Sequence, residues 1–364
     1  MFLARLRRRI FKYHTFWRYA FWVMILGLVA IISALFIFPG VKLIGSVLSG
    51  PISVLSLMSP QKVILKQTGQ RTNILLLGIG GGNHDGPNMT DSIMVISFKQ
   101  NSTASAILIS LPRDIYLDNL GDKINSAYDT GKTKKPDGGG ILLAKSAVSE
   151  VTGIPIHYAL VIDFSGFEKA INLLGGIDVN IENTFDDNQY PIAGKENDLC
   201  GMDSGKKEEE YLCRYEHLHL DAGPAHLSGE KALKYVRSRH AVGDEGTDFA
   251  RARRQQIVLE AVKTKILSLN TLLQPQRLND LFNSFKANLD TDLSRREMAE
   301  LVKIGLSQRR NKIASLVLPE NLFDNPPIDE RGWILLPRDG TFEEIRRLIQ
   351  TKLSEANDPG PNKN

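Results

Sequence analysis

Between Tyr19 and Val41 the chain carries no charged residue, and within that run Phe21–Phe38 (FWVMILGLVAIISALFIF) is broken only by Gly27 and Ser33. At about 1.5 Å per helical residue, about 20 residues cross a hydrocarbon layer of roughly 30 Å, so the run is long enough to span a bilayer. Arg5, Arg7, Arg8, Arg9, Lys12 and Arg18 precede it, and Trp17, Tyr19 and Trp22 fall where an interfacial aromatic belt lies. The positive-inside rule then predicts a basic cytoplasmic segment (1–18), a single transmembrane anchor (19–41) in the cell membrane, and an extracytoplasmic remainder. A cleaved signal peptide is the competing reading, but its apolar region is ordinarily only about 7–15 residues long. Residues 42–71, apolar and punctuated by Ser, Gly and Pro, read as a membrane-proximal stalk.

The anchor also explains the charge. Residues 1–71 hold ten Lys or Arg and no Asp or Glu, so the formal +4 of the 364-residue chain becomes 35 basic against 41 acidic beyond them, a net of −6. A nucleic-acid binder carries its surplus on the folded part, so no nucleic-acid partner is expected. The two cysteines, Cys200 and Cys213, lie in a polar stretch. In an exported chain their spacing favours a local disulfide over two free thiols. A zinc pair would need more ligands, of which His217 and His219 are the nearest. Their H-x-H spacing sets both on one strand face, which simple alternation also explains.

Past the stalk, NILLLGI (73–79), SIMVISF (92–98) and ASAILISL (104–111) read as strands, the last two joined by a turn at 100–103. The period then changes: 141–151 and 166–174 read as helices, 158–163 and 177–181 as strands. Strands alternating with helices predict an α/β fold, an αβα sandwich around a mixed central sheet. Residues 183–225 break the pattern and read as an insertion or long loop. Ser228 caps a helix through Tyr235, and longer helices follow at 248–269 and 275–287. Ser294 with Glu297, and Thr341 with Glu344, have capping-box spacing, and 312–318 reads as a late strand. The domain is expected over 72–310, with 311–356 as a strand-and-helix extension and 357–364 as a disordered tail.

The densest chemistry lies in VRSRHAVGDEGTDFARARRQQ (236–256). Arg237 and Arg239 are two apart. Arg251, Arg254 and Gln255 share one helical face, with Asp248 a turn earlier. Five arginines and no lysine suit phosphate oxygens, because guanidinium presents a planar fork; a solvated face with local Asp–Arg pairs is the plainer alternative. Arg113 follows the third strand, and Lys123 follows in turn. Asp91 and Asp85 are candidate carboxylates for a divalent cation such as magnesium, which takes one or two carboxylates and completes its shell with phosphate and water. GIGGGNHDG (78–86) fails as a dinucleotide loop, since Asn83 stands where the third glycine belongs, and no GxxxxGK[ST] or GxSxG occurs.

TDSIMV, LPRD, KINSAY, DFSGF, LLGGIDV, HLSGEKALKYVRSR and DFARARRQQ, in this order after one N-terminal span, resemble the LytR-CpsA-Psr family of membrane-anchored cell-envelope enzymes, over about residues 72–268. The resemblance implies a transferase that moves a phosphate-linked glycan from a polyprenyl-pyrophosphate carrier onto peptidoglycan or another envelope acceptor. It also implies Mg2+ or Mn2+ and a lipid pocket, for which helices 141–151 and 166–174 offer material, although a core is their default use. Asp91 would match a metal-coordinating aspartate, and Arg113, Arg237, Arg239, Arg251 and Gln255 pyrophosphate-binding positions, with Lys123 and Asp248 as further polar contacts. Asp91 and Asp114 are candidates for taking the acceptor's proton. There is one departure: where the family's first strand ends in Gly-x-Asp, Gly80 stands here, and Asp85 is the candidate replacement. A polyprenyl-pyrophosphate sensor and a pyrophosphatase are the alternatives.

Overall fold

The computed structural model describes residues 63–82, 86–100, 106–202, 207, 210–268, 289–309, 311 and 313–356. The expected cytoplasmic segment, anchor and most of the stalk, Asp85, the helix at 275–287 and the C-terminal tail lie outside them. Among the described residues no helix is long and apolar enough to cross a membrane.

In chain order the elements are β1 (Arg71–Ile79), β2 (Thr90–Lys99), β3 (Ile107–Leu111), β4 (Tyr116–Leu117), β5 (Asp122–Lys123), α1 (Ala127–Lys134), α2 (Gly139–Thr152), β6 (Tyr158–Asp163) and α3 (Phe164–Leu173). Then come β7 (Ile177–Ile181), β8 (Phe185–Pro191), β9 (Tyr215–Leu220), β10 (Gly223–Leu227), α4 (Gly229–Arg237) and α5 (Asp248–Ile266). The chain closes with β11 (Leu289–Thr291), α6 (Arg295–Ser307), β12 (Ala314–Val317), β13 (Phe323–Asp324), β14 (Leu336–Pro337) and α7 (Glu343–Glu355).

Six strands form the central sheet in the order β11-β6-β1-β2-β3-β12. It is mixed: β1 runs parallel to β6, β3 parallel to β12, and β1–β2 and β2–β3 are antiparallel. Strand alternation sorts side chains onto two faces. Leu75 and Leu77 of β1 join Val95 and Ile109 against Ile141 and Val148 of α2 and Ile345 and Ile349 of α7. Ile74 and Leu76 join Phe98 and Tyr158 on the other face, against Met298, Leu301 and Ile304 of α6. Helices therefore cover both faces, and each fully buried aliphatic side chain contributes about 1.5–3 kcal/mol. The buried face of α2 is used in this core. Helices α1 and α2 touch backbone to backbone: a Cβ on Gly131 would stand 2.3 Å from the carbonyl oxygen of Gly139.

A second core gathers Ile171, Val179, Phe185, Leu218, Tyr235 and Val258, from α3, β7, β8, β9, α4 and α5. Here the structure places strands in 183–225, read from the sequence as an insertion or long loop, so the long-loop alternative is corrected. β8 and β9 form an antiparallel ribbon, and β10 pairs with β7. Cys200 and Cys213 are disulfide-bonded, tying together the excursion between β8 and β9. Packing also begins before residue 72, since Leu65 is buried in the sheet's second face. Ser294 and Glu297 form a reciprocal capping box at α6, but Thr341 and Glu344 do not: α7 starts at Glu343, with Phe342 in the capping position.

Candidate functional site

Strand directions bring the polar residues to one edge. Parallel strands β1, β6, β3 and β12 end there and antiparallel β2 begins there, so the start of β2, the residues after β3 and the start of α3 are neighbours. This is where α/β sheets usually hold ligands. A register shift between Gly78 and Ile79 marks the β1 side of Asp91.

Asp91 is ion-paired with Arg113. The Arg113 Nε lies 3.5 Å from Asp114 Oδ2, and Lys123 Nζ donates to Asp114 Oδ1 at 3.2 Å. The run is thus Asp91–Arg113–Asp114–Lys123, alternating in sign. Its backbone is fixed from below: Asn125 N donates to Arg113 O, and Thr90 Oγ1 to Asn125 O. Arg113 Nε makes no hydrogen bond, and neither does the buried Asn125 Oδ1. Asp114 is 4% exposed and held by both cations, whereas Asp91, the other candidate for taking a proton, is the more exposed carboxylate.

Asp91, Arg113, Arg251 and Gln255 line one cavity of about 520 Å³. Helix α5 is seated there by Gln256, whose Nε2 donates to Ser110 Oγ of β3 at 2.7 Å and whose Oε1 accepts from Ser315 of β12. The far wall comes from the C-terminal extension and includes Glu320, Asp324, Asn325, Trp333 and Arg338. Nothing in the spacing of these residues marks them for a site.

Arg237 and Arg239 flank the end of α4. Arg237 lies over the Phe164 ring, 4.2 Å from guanidinium carbon to centroid, beside the end of β6. Arg239 is exposed, and neither arginine forms an ion pair among the described residues. Gln255 Nε2 reaches Val236 O at 3.5 Å, joining the cavity wall to this segment. The side chain of Asp248 lies outside the described residues.

Arg254 departs from its sequence assignment to a phosphate-facing surface. It is 2% exposed and points into the second core. Its Nε donates to Tyr235 O (2.9 Å), Nη2 to Ser238 O (2.8 Å), and Nη1 to Glu245 O (2.6 Å) and Oε2 (3.0 Å). It thereby closes the loop that carries Arg237 and Arg239. The rings of Phe185 and Tyr235 flank it at 4.8 and 5.7 Å. Burial pulls the Arg254 guanidinium down from its usual range, opposed by Glu245, and burial pushes the Tyr235 phenol up to about 12. Asp187, also wholly buried, accepts from Ser238 Oγ and from Gln189 N. No pattern distinguishes Arg254 from Arg251, or Asp187 from Asp186, before the fold is known.

The glycine run after β1 is forced against Asp163: Gly81 has φ +66°, and a Cβ there would stand 2.8 Å from Asp163 Cβ. That carboxylate caps α3, accepting from Gly166 N at 2.7 Å. Among the described residues no three-ligand cluster gathers at Asp91.

The LytR_cpsA_psr family model matches residues 55–336. A polyisoprenyl-teichoic acid–peptidoglycan teichoic acid transferase, TagU, of Enterococcus faecalis is 29% identical over 245 residues, 65% of this chain and 65% of the relative. The protein of that name from Bacillus mycoides is 30% identical over 237 residues, 64% and 63% of the two chains. The match thus spans less than two thirds of these relatives. Crystal structures of B. subtilis TagV (24% identity, TM-score 0.55, 79% of this chain and 99% of that one) and of TagT bound to LIIa-WTA (23%, 0.53, 82% and 98%) share the α/β fold with its mixed sheet. With the family model covering most of its length and the fold in agreement, the chain belongs to the LytR_cpsA_psr family.

Proposed function

We propose that the chain is an exported, membrane-anchored phosphotransferase that moves a phosphate-linked glycopolymer from a polyprenyl-pyrophosphate carrier to a cell-wall acceptor such as peptidoglycan. The observation that carries this reading is the cavity at the carboxyl edge of the sheet that collects Asp91, Arg113, Arg251 and Gln255, with Arg237 at the end of α4 and Arg239 on the adjoining loop. The names of the TagU relatives support the same reaction class.

In the chemistry proposed, an acceptor hydroxyl oxygen attacks the glycan-bearing phosphorus. A new P–O bond forms, the bond to the bridging oxygen breaks, and polyprenyl phosphate leaves with the electron pair. Negative charge grows on the leaving phosphate, and guanidiniums already in position stabilise it without a covalent intermediate. Arg113 and Asp91 pair in the absence of substrate; a pyrophosphate engaging Arg113 bidentately competes with that carboxylate and frees it. The freed Asp91 is the group available either to accept the hydroxyl proton or to bind a cation.

Magnesium or manganese fits this donor set: a half-exposed carboxylate at the wall of a cavity also lined by arginines is the sparse oxygen site magnesium uses, with phosphate and water completing its shell. Asp91 would hold the ion, with Asp85 as the candidate second acid, and the ion would supply positive charge to the phosphate oxygens. The cytoplasmic segment, the anchor at 19–41 and the extracytoplasmic domain belong to the same proposal, since they keep the domain on the membrane that carries a lipid-linked substrate.

The test is to incubate the full-length chain in detergent with a polyprenyl-pyrophosphate oligosaccharide and magnesium, with and without peptidoglycan fragments, and to identify products by mass. Polyprenyl monophosphate together with a phosphodiester-linked sugar on the acceptor is the expected result. Release independent of acceptor would make the chain a pyrophosphatase. Intact substrate that co-purifies would make it a lipid-binding sensor.

A further inference from the structure

We propose that Asp186, His217 and His219 form a second cation site, outside the arginine cavity, for a divalent transition metal of the zinc class. β8 and β9 pair in antiparallel register with Asp186 directly opposite His219. His217 lies two residues away on the same face, while Leu218 between them is buried in the second core. His217 Nε2 is 2.9 Å and His219 Nδ1 2.7 Å from the same oxygen, Asp186 Oδ1. All three donor atoms lie within 4.8 Å of one another. Zinc takes imidazole nitrogen and carboxylate oxygen at about 2.0–2.2 Å, so modest opening of this triangle would admit it, with water as the fourth ligand. The three side chains are exposed enough to make that adjustment.

A second feature separates the cluster from an ordinary surface ion pair. His219 Nε2 faces Asp221 Oδ1 at 3.2 Å. A carboxylate on the far ring nitrogen is the arrangement that fixes the tautomer and raises the basicity of a metal-bound histidine, leaving Nδ1 to the metal. Two imidazoles select borderline transition metals over magnesium or calcium, which distinguishes this site from the oxygen-only position at Asp91. Cys200 and Cys213 are excluded as ligands by their disulfide.

The site also adjoins the arginine loop through backbone. Val242 N donates to Asp186 O at 2.8 Å, and Asp187 bridges to Ala241. A metal on Asp186 would therefore fasten the strand against which the Arg239-bearing segment is hydrogen-bonded.

The test uses the full-length chain in detergent, freed of any polyhistidine tag and of metal by chelation, and titrates it with Zn2+ against a chromogenic chelator in excess Mg2+. One equivalent should bind per chain, and cobalt in its place should give the visible absorption of a tetrahedral site. His217→Ala and His219→Gln should each weaken binding at least about tenfold, and the double variant should abolish it. Metal-free thermal melts establish that the variants remain folded. No stoichiometric zinc on the wild type, or equal binding by a folded double variant, would overturn the proposal.

Discussion

The two halves of the candidate site differ in how their charge is kept. Arg113 is compensated on both sides, by Asp91 and by Asp114, and the latter is itself shared with Lys123. Arg237 and Arg239 have no carboxylate partner among the described residues, and their loop is held instead from behind by buried Arg254 and Asp187. One half is therefore a closed charge network, which the proposed reaction requires a ligand to open. The other is a standing positive edge whose shape depends on groups buried behind it. Preorganisation is achieved in the first by ion pairing at the site and in the second by polar burial beneath it.

The largest expected effect attacks that burial. Arg254→Leu leaves Glu245 without its guanidinium and the carbonyls of Tyr235 and Ser238 without a donor, which costs about 3–5 kcal/mol. Denaturant or thermal unfolding measures it. Arg254→Lys should recover only part, since one ammonium cannot fork to three backbone oxygens. Full stability with lost turnover would mean that Arg254 meets substrate after all, and the contrast between the halves would fail.

Next come one arginine from each half, Arg113 and Arg239, which the proposed function sets toward the ligand. Arg113→Ala and Arg239→Ala should each lower kcat/KM by about 10²–10³, the usual cost of removing one preorganised charge donor. They should differ in coupling. A double-mutant cycle of Arg113 with Asp91 should show an interaction energy of about 0.5–3 kcal/mol, whereas Arg239 with Asp91 should be additive. Wild-type rates in Arg239→Ala would remove the loop from the site. Asp91→Asn sharpens the same contrast: if this carboxylate holds the cation, the magnesium concentration needed for half-maximal rate should rise, and an unchanged requirement would assign the metal elsewhere.

The central sheet was legible because its strands are apolar on both faces. The reading at 158–163 matches β6 residue for residue, and those for β1 and β2 err by two residues at most at each end; outside this sheet, the alternating IDVNI read at 177–181 matches β7. The β8–β9 ribbon was not, because FDDNQYP carries mostly polar residues and a register shift, YEHLHL buries only Leu218, and both resemble a loop. The arginine-rich segment was found as a block but not resolved into parts: Arg251 lines the cavity, Arg253 is exposed and Arg254 is buried, although all three lie within four residues of one helix. Which of them faces the cavity depends on the angle at which α5 lies on the sheet, set by Gln256 on Ser110 and Ser315, contacts between residues far apart in sequence. The second capping box failed for a local reason, since α7 begins two residues beyond Thr341.

The smallest expected effect serves as a control, because it lies beside neither half. Glu297 accepts from Tyr158 Oη at 2.6 Å and from Ser294 N at 2.8 Å. Burial pushes its carboxyl up, but these bonds outweigh burial and hold it below its ordinary value of 4.5, while burial, with Glu297 as acceptor, pushes the Tyr158 phenol up to about 12. A carboxyl lowered on folding contributes stability that is present above the ordinary glutamate range and is lost as pH falls through the lowered value. Glu297→Gln should therefore cost on the order of 1 kcal/mol near neutral pH, the scale of a lost cap, with the gap to wild type narrowing in acid and turnover per folded molecule unchanged. Unfolding curves across the acid range read the first, and initial rates the second. A turnover loss in this variant would show that the sheet transmits strain from α6 to its carboxyl edge, and the two halves could no longer be treated as independent of the body that carries them.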